Sequence, residues 1–256
     1  MKIKTLQWNI GGGRICEEGK DPTSPESYTE YGIDSIIDVL KDEQPNIITL
    51  QETHESSGYC QTQIIADALG YSYWVNDSYD ESFIEKGQRF GQGVISRYPI
   101  TEHRFTDFTN PNFNFTNDDG IEIYSKNGGL TACIIEYADA KFVQVETFHM
   151  TPFHFFNVDI ESEPAKKVLR EVENLIGKSQ LPTIVQADFN LDYPRLSHLL
   201  PEVFAAGIQE VSQETPTTPK GKRLDHFLYV GLNVVNSRVI INVKTDHYPI
   251  ITEFQL

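Results

Sequence analysis

Apolar runs in this chain stop at polar residues again and again. LQWNI carries Asn9 and IITLQET carries Gln51 and Glu52. ETFHM carries His149, and IVQADFN carries Asp188 and Asn190. KRLDHF carries Asp225, and KTDHYP carries Asp246 and His247. Short β-branched runs of this kind read as buried strands. A polar side chain where a buried strand stops lies at the rim of a sheet. Carboxylates, amides and imidazoles converging on one rim would make a divalent-metal site for phosphate-ester hydrolysis.

The runs alternate with helical patterns. KIKTLQWNI reads as a strand stopped by Gly11, Gly12 and Gly13. Ile33, Ile36, Ile37 and Leu40 recur at helical spacing and predict a helix over about 32–43, ended by Pro45. NIITLQ is the next strand. Ile64, Ile65, Ala68 and Leu69 predict a second helix with Gly70 as its stop. YSYWV, GQGVIS, LTACIIEY and FVQVETF read as strands. Ser162 caps a helix whose apolar face is Ala165, Val168, Leu169, Val172, Leu175 and Ile176. TIVQA, HFLYV, SRVIINV and IITEF complete the strands. This order implies an α/β fold with two packed sheets covered by helices. No linker divides the chain, so residues 1–256 are expected to form one domain. Stretches 11–31, 76–90 and 105–128 read as loops. Loops so long either have a task, such as walling a site, or are variable insertions.

The formal charge is −16. Such a surface repels a polyanion at long range, which disfavours an unassisted duplex nuclease. A cation held by carboxylates still attracts a single phosphate locally. Cys16, Cys60 and Cys133 fit neither a disulfide framework nor a zinc pattern. No signal peptide and no run of membrane-spanning length stands out, so a cytoplasmic, monomeric protein is expected. A secreted form stays open.

Each polar group has a bland reading beside the chemical one. Glu52 suits a hard cation, but any strand can end in an exposed Glu. Asn9 can fix a phosphate or a carboxylate through its amide, or simply begin a turn. Asp188 and Asn190, two apart on an extended segment, would face one water or one phosphate while Phe189 turns into the core. The alternative is an Asx-turn. His247 can stabilise phosphoryl charge, with Asp225 as the carboxylate that holds its tautomer. His149 would be a second imidazole on the phosphate. His154 and His226, beside these groups, read as structural.

Together WNI, LQE, GVISRYPI, VETFH, ADFN, LDHFLYV and TDHYPI resemble the endonuclease/exonuclease/phosphatase superfamily, the pancreatic-deoxyribonuclease-like fold. The motifs keep the family's order and span residues 3 to 254. The resemblance implies a four-layered α/β/β/α sandwich with two mainly antiparallel sheets, and Mg²⁺- or Mn²⁺-dependent cleavage of phosphate esters. It implies metal binding by Glu52, with Asn9 and Asp246 nearby. It also implies that Asp188 positions the attacking water with Asn190 as helper, that Asp225 partners His247, and that His149 meets the phosphate. The chain departs from the pattern at Gly11, where many members carry Asp, at Ala187 for Gly and at Thr245 for Ser. Thr147-Phe148-His149 stands for Asn-Thr-His, where the alignment can slip by one residue.

The substrate expected from this resemblance is a nucleic acid or a nucleotide-like phosphodiester. The alternatives are an inositol-phosphate type of phosphomonoester, a sphingomyelin-like phospholipid, and a non-catalytic module that kept the fold. Phe105, Phe108, Phe113, Phe115, Phe153, Phe155 and Phe156 could stack bases or touch lipid, or pin loops to the core.

Overall fold

The computed structural model describes residues 1–117, 120–192 and 195–255. The chain runs β1 (Lys2–Asn9), β2 (Arg14–Ile15), β3 (Glu30–Tyr31), α1 (Ile33–Glu43), β4 (Ile47–Ser56), β5 (Tyr59–Cys60), α2 (Gln61–Leu69), β6 (Tyr73–Glu81), β7 (Arg89–Ser96) and β8 (Ile100–Asp107). It continues through β9 (Asn114–Thr116), β10 (Glu122–Tyr124), β11 (Gly129–Ala138), β12 (Lys141–Thr147), α3 (Glu163–Leu175) and β13 (Thr183–Asp188). α4 (Pro201–Ala205), β14 (Gln209–Glu210), β15 (Asp225–Val230), β16 (Asn233–Val239) and β17 (Ile250–Gln255) complete it.

Two large sheets result. One has the order β16-β17-β1-β4-β7-β6, with β5 on β4; the other is β14-β15-β13-β12-β11-β8. Within them β1 pairs with β4, and β12 with β13, in parallel; the other ladders are antiparallel. The mainly antiparallel sheets of the expected sandwich are therefore present.

Three apolar clusters separate four layers. Leu6, Trp8, Ile48 and Leu50 pack on Ile36, Leu40 and Ile65 of α1 and α2. Val185 and Ala187 pack on Val168, Leu169 and Val172 of α3. Between the sheets lie Ile3, Ile47, Val143, Val145, Ile184 and Phe254. Strand parity assigns these faces. The inter-sheet positions then change character along each strand. Ile3 gives way to Thr5, Gln7 and Asn9; Ile47 to Thr49 and Gln51; Ile184 to Gln186 and Asp188; Val145 to Thr147. All of these are buried. One end of the inter-sheet layer is apolar and the other is a dense polar network.

Helix ends follow local chemistry. Ser162 Oγ accepts from Ala165 N, and Gly70 takes the left-handed φ of 70° that closes α2. Three expectations change. Stretch 76–90 is mostly strand, since β6 reaches Glu81 and β7 begins at Arg89. Its polar side chains find polar partners: Asn76 bonds Thr53, Thr62 and Glu55, and Asp77 accepts from Thr131. Stretch 105–128 holds the end of β8 and the β9–β10 hairpin; its residues 118 and 119 lie outside the described residues. Phe113 and Phe115 fasten that hairpin edge-on to Phe153, Phe155 and Phe156. The strand read as SRVIINV is β16, which starts at Asn233 and stops at Val239. Stretch 11–31 stays largely irregular. Among the described residues no helix is long and apolar enough to cross a membrane.

Candidate active site

The polar end of the inter-sheet layer collects the predicted residues by strand register. Asn9 and Gln51 are parallel partners in the first sheet. Asp188 and Asp225 are antiparallel partners in the second, and His149 bridges to Asp188. Asn9 Nδ2 crosses between the sheets, donating to Glu52 Oε1 at 3.0 Å and to Asp188 Oδ2 at 2.9 Å. His149 Nε2 lies 3.6 Å from both of those oxygens. His247 Nε2 lies 3.7 Å from Asp188 Oδ2. Asp188 thus stands between two imidazoles.

Parity alone would send the Glu52 side chain to the helix face, since Leu50 already points there. A β-bulge redirects it. Gln51 pairs with Gln92 and Thr53 with Gly91, leaving Glu52 as the extra residue, at φ 54°. Bulges re-aim side chains in this way, and a non-glycine residue at positive φ marks strain held by its surroundings. Here the surroundings include the Asn9 amide.

His247 is held from several sides. Its Nδ1 lies 2.8 Å from Asp225 Oδ2, and Trp8 Nε1 donates to its carbonyl and to Thr245 Oγ1, both at 3.1 Å. Asp225 Oδ1 accepts from Gln7 Nε2 at 2.7 Å. The same Gln7 nitrogen donates to Gln51 Oε1, and Gln51 Nε2 donates to Thr147 Oγ1. Thr217 Oγ1 accepts from the backbone nitrogen of Asp225. Gln7, Trp8 and Thr217 were absent from the residues singled out by sequence. Gln7 lies two before Asn9 on the same strand face, a parity signal that would have found it.

The electrostatics follow from this crowding. Burial pushes the Asp188 carboxyl above its ordinary range, and the facing Asp225 pushes it further. Burial also raises Glu52, against the pull of His149 and with a further push from Asp246. Burial would raise Asp225 as well, but His247 and the bonds from Thr217 and Gln7 outweigh it and hold Asp225 low. Burial opposes the charge on His247. Asp225 and Asp188 overcome that and lift it well above the ordinary imidazole value. The inner pair is therefore an aspartate and an imidazolium.

Asn190 departs from its expected geometry. The strand ends at Asp188, and Asn190 takes φ 51°. Its backbone nitrogen donates to Asp188 Oδ1 at 2.8 Å, an Asx-type turn, and its Nδ2 donates to the Met150 carbonyl. The i, i+2 premise of an extended segment fails here, although Asn190 remains beside Asp188. Phe189 is fully buried, in the cluster under α3. Asp246 is exposed at the rim. A Cβ at Gly11 would stand 3.1 Å from Asp246 Oδ1, so the glycine leaves room for this carboxylate. His226 is structural, held by Glu210 and the Leu191 carbonyl.

Asp188, Asp225 and His247 offer donor atoms within 4.8 Å of one another. Asp225 Oδ2 and His247 Nδ1 already face each other, and Asp225 Oδ1 accepts from Gln7. Glu52 and Asp246 repel each other, and among the described residues neither is paired with Lys or Arg. Oxygen donors of this kind suit a hard divalent cation.

A model of the Endonuclease/Exonuclease/phosphatase family matches residues 6–247. A UPF0294 protein of Yersinia pseudotuberculosis serotype O:1b is 31% identical over 120 residues, covering 46% of this chain and 44% of that protein. The match therefore spans less than half the length of this curated relative. An endonuclease/exonuclease/phosphatase from Beutenbergia cavernae superposes with a TM-score of 0.76 at 16% identity, over 100% of this chain and 72% of that one. Danio rerio (D. rerio) TDP2 complexed with single strand DNA product gives a TM-score of 0.65 at 14% identity, over 100% and 99%. These two likenesses establish the shared fold.

Proposed function

The chain belongs to the endonuclease/exonuclease/phosphatase family, and on that premise we propose that it is a Mg²⁺- or Mn²⁺-dependent phosphodiesterase acting on a nucleic acid or a nucleotide-like ester. Members of the family are phosphoric ester hydrolases and generally depend on a divalent metal. The carrying observation is the placement of Asp188 Oδ2 between His149 and His247, at 3.6 and 3.7 Å, beside the Glu52 carboxylate.

Glu52 and Asp246 would hold the cation, with Asn9 fixing the Glu52 carboxylate. The bound cation supplies Lewis-acid polarisation of a phosphoryl oxygen. Asp188 orients the attacking water and takes its proton, a task suited to a carboxylate that burial and Asp225 raise above its ordinary range. Asn190 holds Asp188 Oδ1 through its backbone nitrogen. His247, kept charged by Asp225, donates from Nε2 to the developing phosphoryl charge, and His149 donates from the other side.

Nucleic acid is favoured over the other esters by what lies next to the site. His154 feels the charges of Lys222, Lys220 and His247. The neighbouring Phe155 is 49% exposed. An exposed aromatic face one residue from a histidine in the field of two lysines suits a base and its phosphate. The TDP2 complex supports this choice by analogy of fold. We also read residues 1–256 as a single domain of this kind.

The test is a panel of single-stranded DNA, RNA, a 5′-tyrosyl oligonucleotide, inositol phosphates and sphingomyelin, each with Mg²⁺, Mn²⁺ or chelator. Metal-dependent cleavage of an oligonucleotide is expected. Turnover confined to the inositol phosphates or to sphingomyelin would replace the reading.

A further inference from the structure

Two bulges flank one short stretch of β7. Glu52 is the extra residue of β4, between the pairs Gln51–Gln92 and Thr53–Gly91. Tyr79 is the extra residue of β6, between the pairs Ser78–Gly91 and Asp80–Phe90. The two irregularities therefore sit on either side of Gly91. A Cβ at Gly91 would stand 2.8 Å from the Asp77 carbonyl and 3.1 Å from Thr53 Oγ1, so this crossing depends on its absence. The first bulge delivers a carboxylate to the cleft. The second gives Tyr79 the same freedom to leave the alternation of its strand.

The Tyr79 ring is clamped. It stacks on Phe105 with centroids 6.4 Å apart and planes 5° from parallel. Phe105 in turn lies over Gly129, where a Cβ would come within 2.4 Å of Phe105 Cζ. The hydroxyl at the end of this clamped ring is buried and has no hydrogen-bond partner among the described residues. It lies in the field of Glu52 and Asp188, whose charges add to burial in raising the phenol above its ordinary value. The group is thus a buried donor without an acceptor, on the strand that flanks Gly91 opposite the bulge carrying Glu52. Aromatic packing against Phe105 would be served equally by phenylalanine. An orphan buried hydroxyl calls for another acceptor.

We propose that Tyr79 is a substrate-contacting residue, its hydroxyl donating a hydrogen bond to a phosphoryl oxygen of the ester held between Glu52 and Asp188. The proposal rests on the phosphate-ester reading given above and adds a donor from β6 to the two histidines. A phenol placed there grips the phosphoryl group in both substrate and product, so inorganic phosphate is a suitable probe.

The test compares wild type with Tyr79→Phe by titration calorimetry of inorganic phosphate in the presence of Mg²⁺. Thermal melting, and kcat and KM on bis(p-nitrophenyl) phosphate, accompany it. Loss of a hydrogen bond to a charged acceptor should weaken phosphate binding about 10-fold or more. The melt should stay level or rise, because no internal bond is lost. Tyr79→Leu, which also removes the stacking, should lower the melt, separating the ring's role from the hydroxyl's. Phosphate affinity equal in wild type and Tyr79→Phe overturns the proposal, as does a wild type that binds no phosphate with Mg²⁺. A wild type that binds phosphate through Tyr79 but hydrolyses no ester would leave this contact standing and remove the proposed function. Normal hydrolysis by both proteins would do the reverse.

Discussion

Asp225 fixes the His247 ring and its charge: Nδ1 of the imidazolium and Oδ2 of the carboxylate lie 2.8 Å apart, both residues buried. That bond leaves Nε2 free to face Asp188 and, on the proposed function, the phosphoryl group. Asp225→Asn would remove the negative charge and the hydrogen bond that keep the imidazole protonated and in place. A loss of about 10³-fold or more in kcat is expected, with KM little changed. His247→Ala should cost as much, and the double variant no more than either single, because the two act as one unit. Additive losses in the double variant would show that they do not.

Asp188 combines a catalytic assignment with an unfavourable place for a charge. It is fully buried and stands opposite Asp225 in the ladder. Asp188→Asn keeps the size and removes the repulsion. The variant should melt at or above the wild-type temperature while kcat falls about 10³-fold or more. Substantial residual turnover would mean that another group activates the water.

Glu52 and Asp246 repel until a cation arrives, so metal should stabilise the folded protein. At about 100 times its dissociation constant a ligand adds about 2.7 kcal/mol. For a chain of this size that corresponds to about 5–10 °C in Tm. Mg²⁺ or Mn²⁺ should produce that shift in wild type and little of it in Glu52→Gln, read by scanning calorimetry with and without chelator. An equal shift in Glu52→Gln would place the cation elsewhere, with the Asp188 carboxylate the next donor.

Much of this site was legible in the sequence because Asn9 and Asp188 end strands, Asp225 begins one, and His149, Asp246 and His247 lie just outside them. Parity fixes which side of a sheet a residue faces, and the terminal polar groups had to share one rim. Apart from Gln7, Trp8 and Thr217, what stayed hidden depended on exceptions to parity. Neither bulge has a one-letter signal, so the turning of Glu52 and the extra residue Tyr79 were invisible. Asn190 was misplaced for the same reason, since its positive φ breaks the extended geometry assumed for Asp188-Phe189-Asn190. The strands hidden in 76–90 and 105–128 carry many polar residues, those of 76–90 bonded to other polar residues, so composition read them as loops. The helices, with ordinary apolar stripes and a Ser162 cap, needed no such contacts to be found.

His54 offers a pH test outside the catalytic groups. Its ring is 1% exposed and packs on Gly12, where a Cβ would fall 2.4 Å from His54 Cε1; its Nε2 lies 2.8 Å from Ser82 Oγ. Burial pushes the imidazole down from 6.5 to about 4. The unfolded chain therefore binds this proton more readily than the folded one. Stability from the neutral ring is fully present above pH 6.5 and is lost as pH falls towards 4. The shift is worth up to about 3 kcal/mol. His54→Gln keeps a polar side chain but cannot be protonated. Denaturant unfolding between pH 7 and pH 4 should show wild type losing more stability than His54→Gln by about that amount. Parallel pH profiles for the two proteins would mean that the ring is protonated without leaving its pocket.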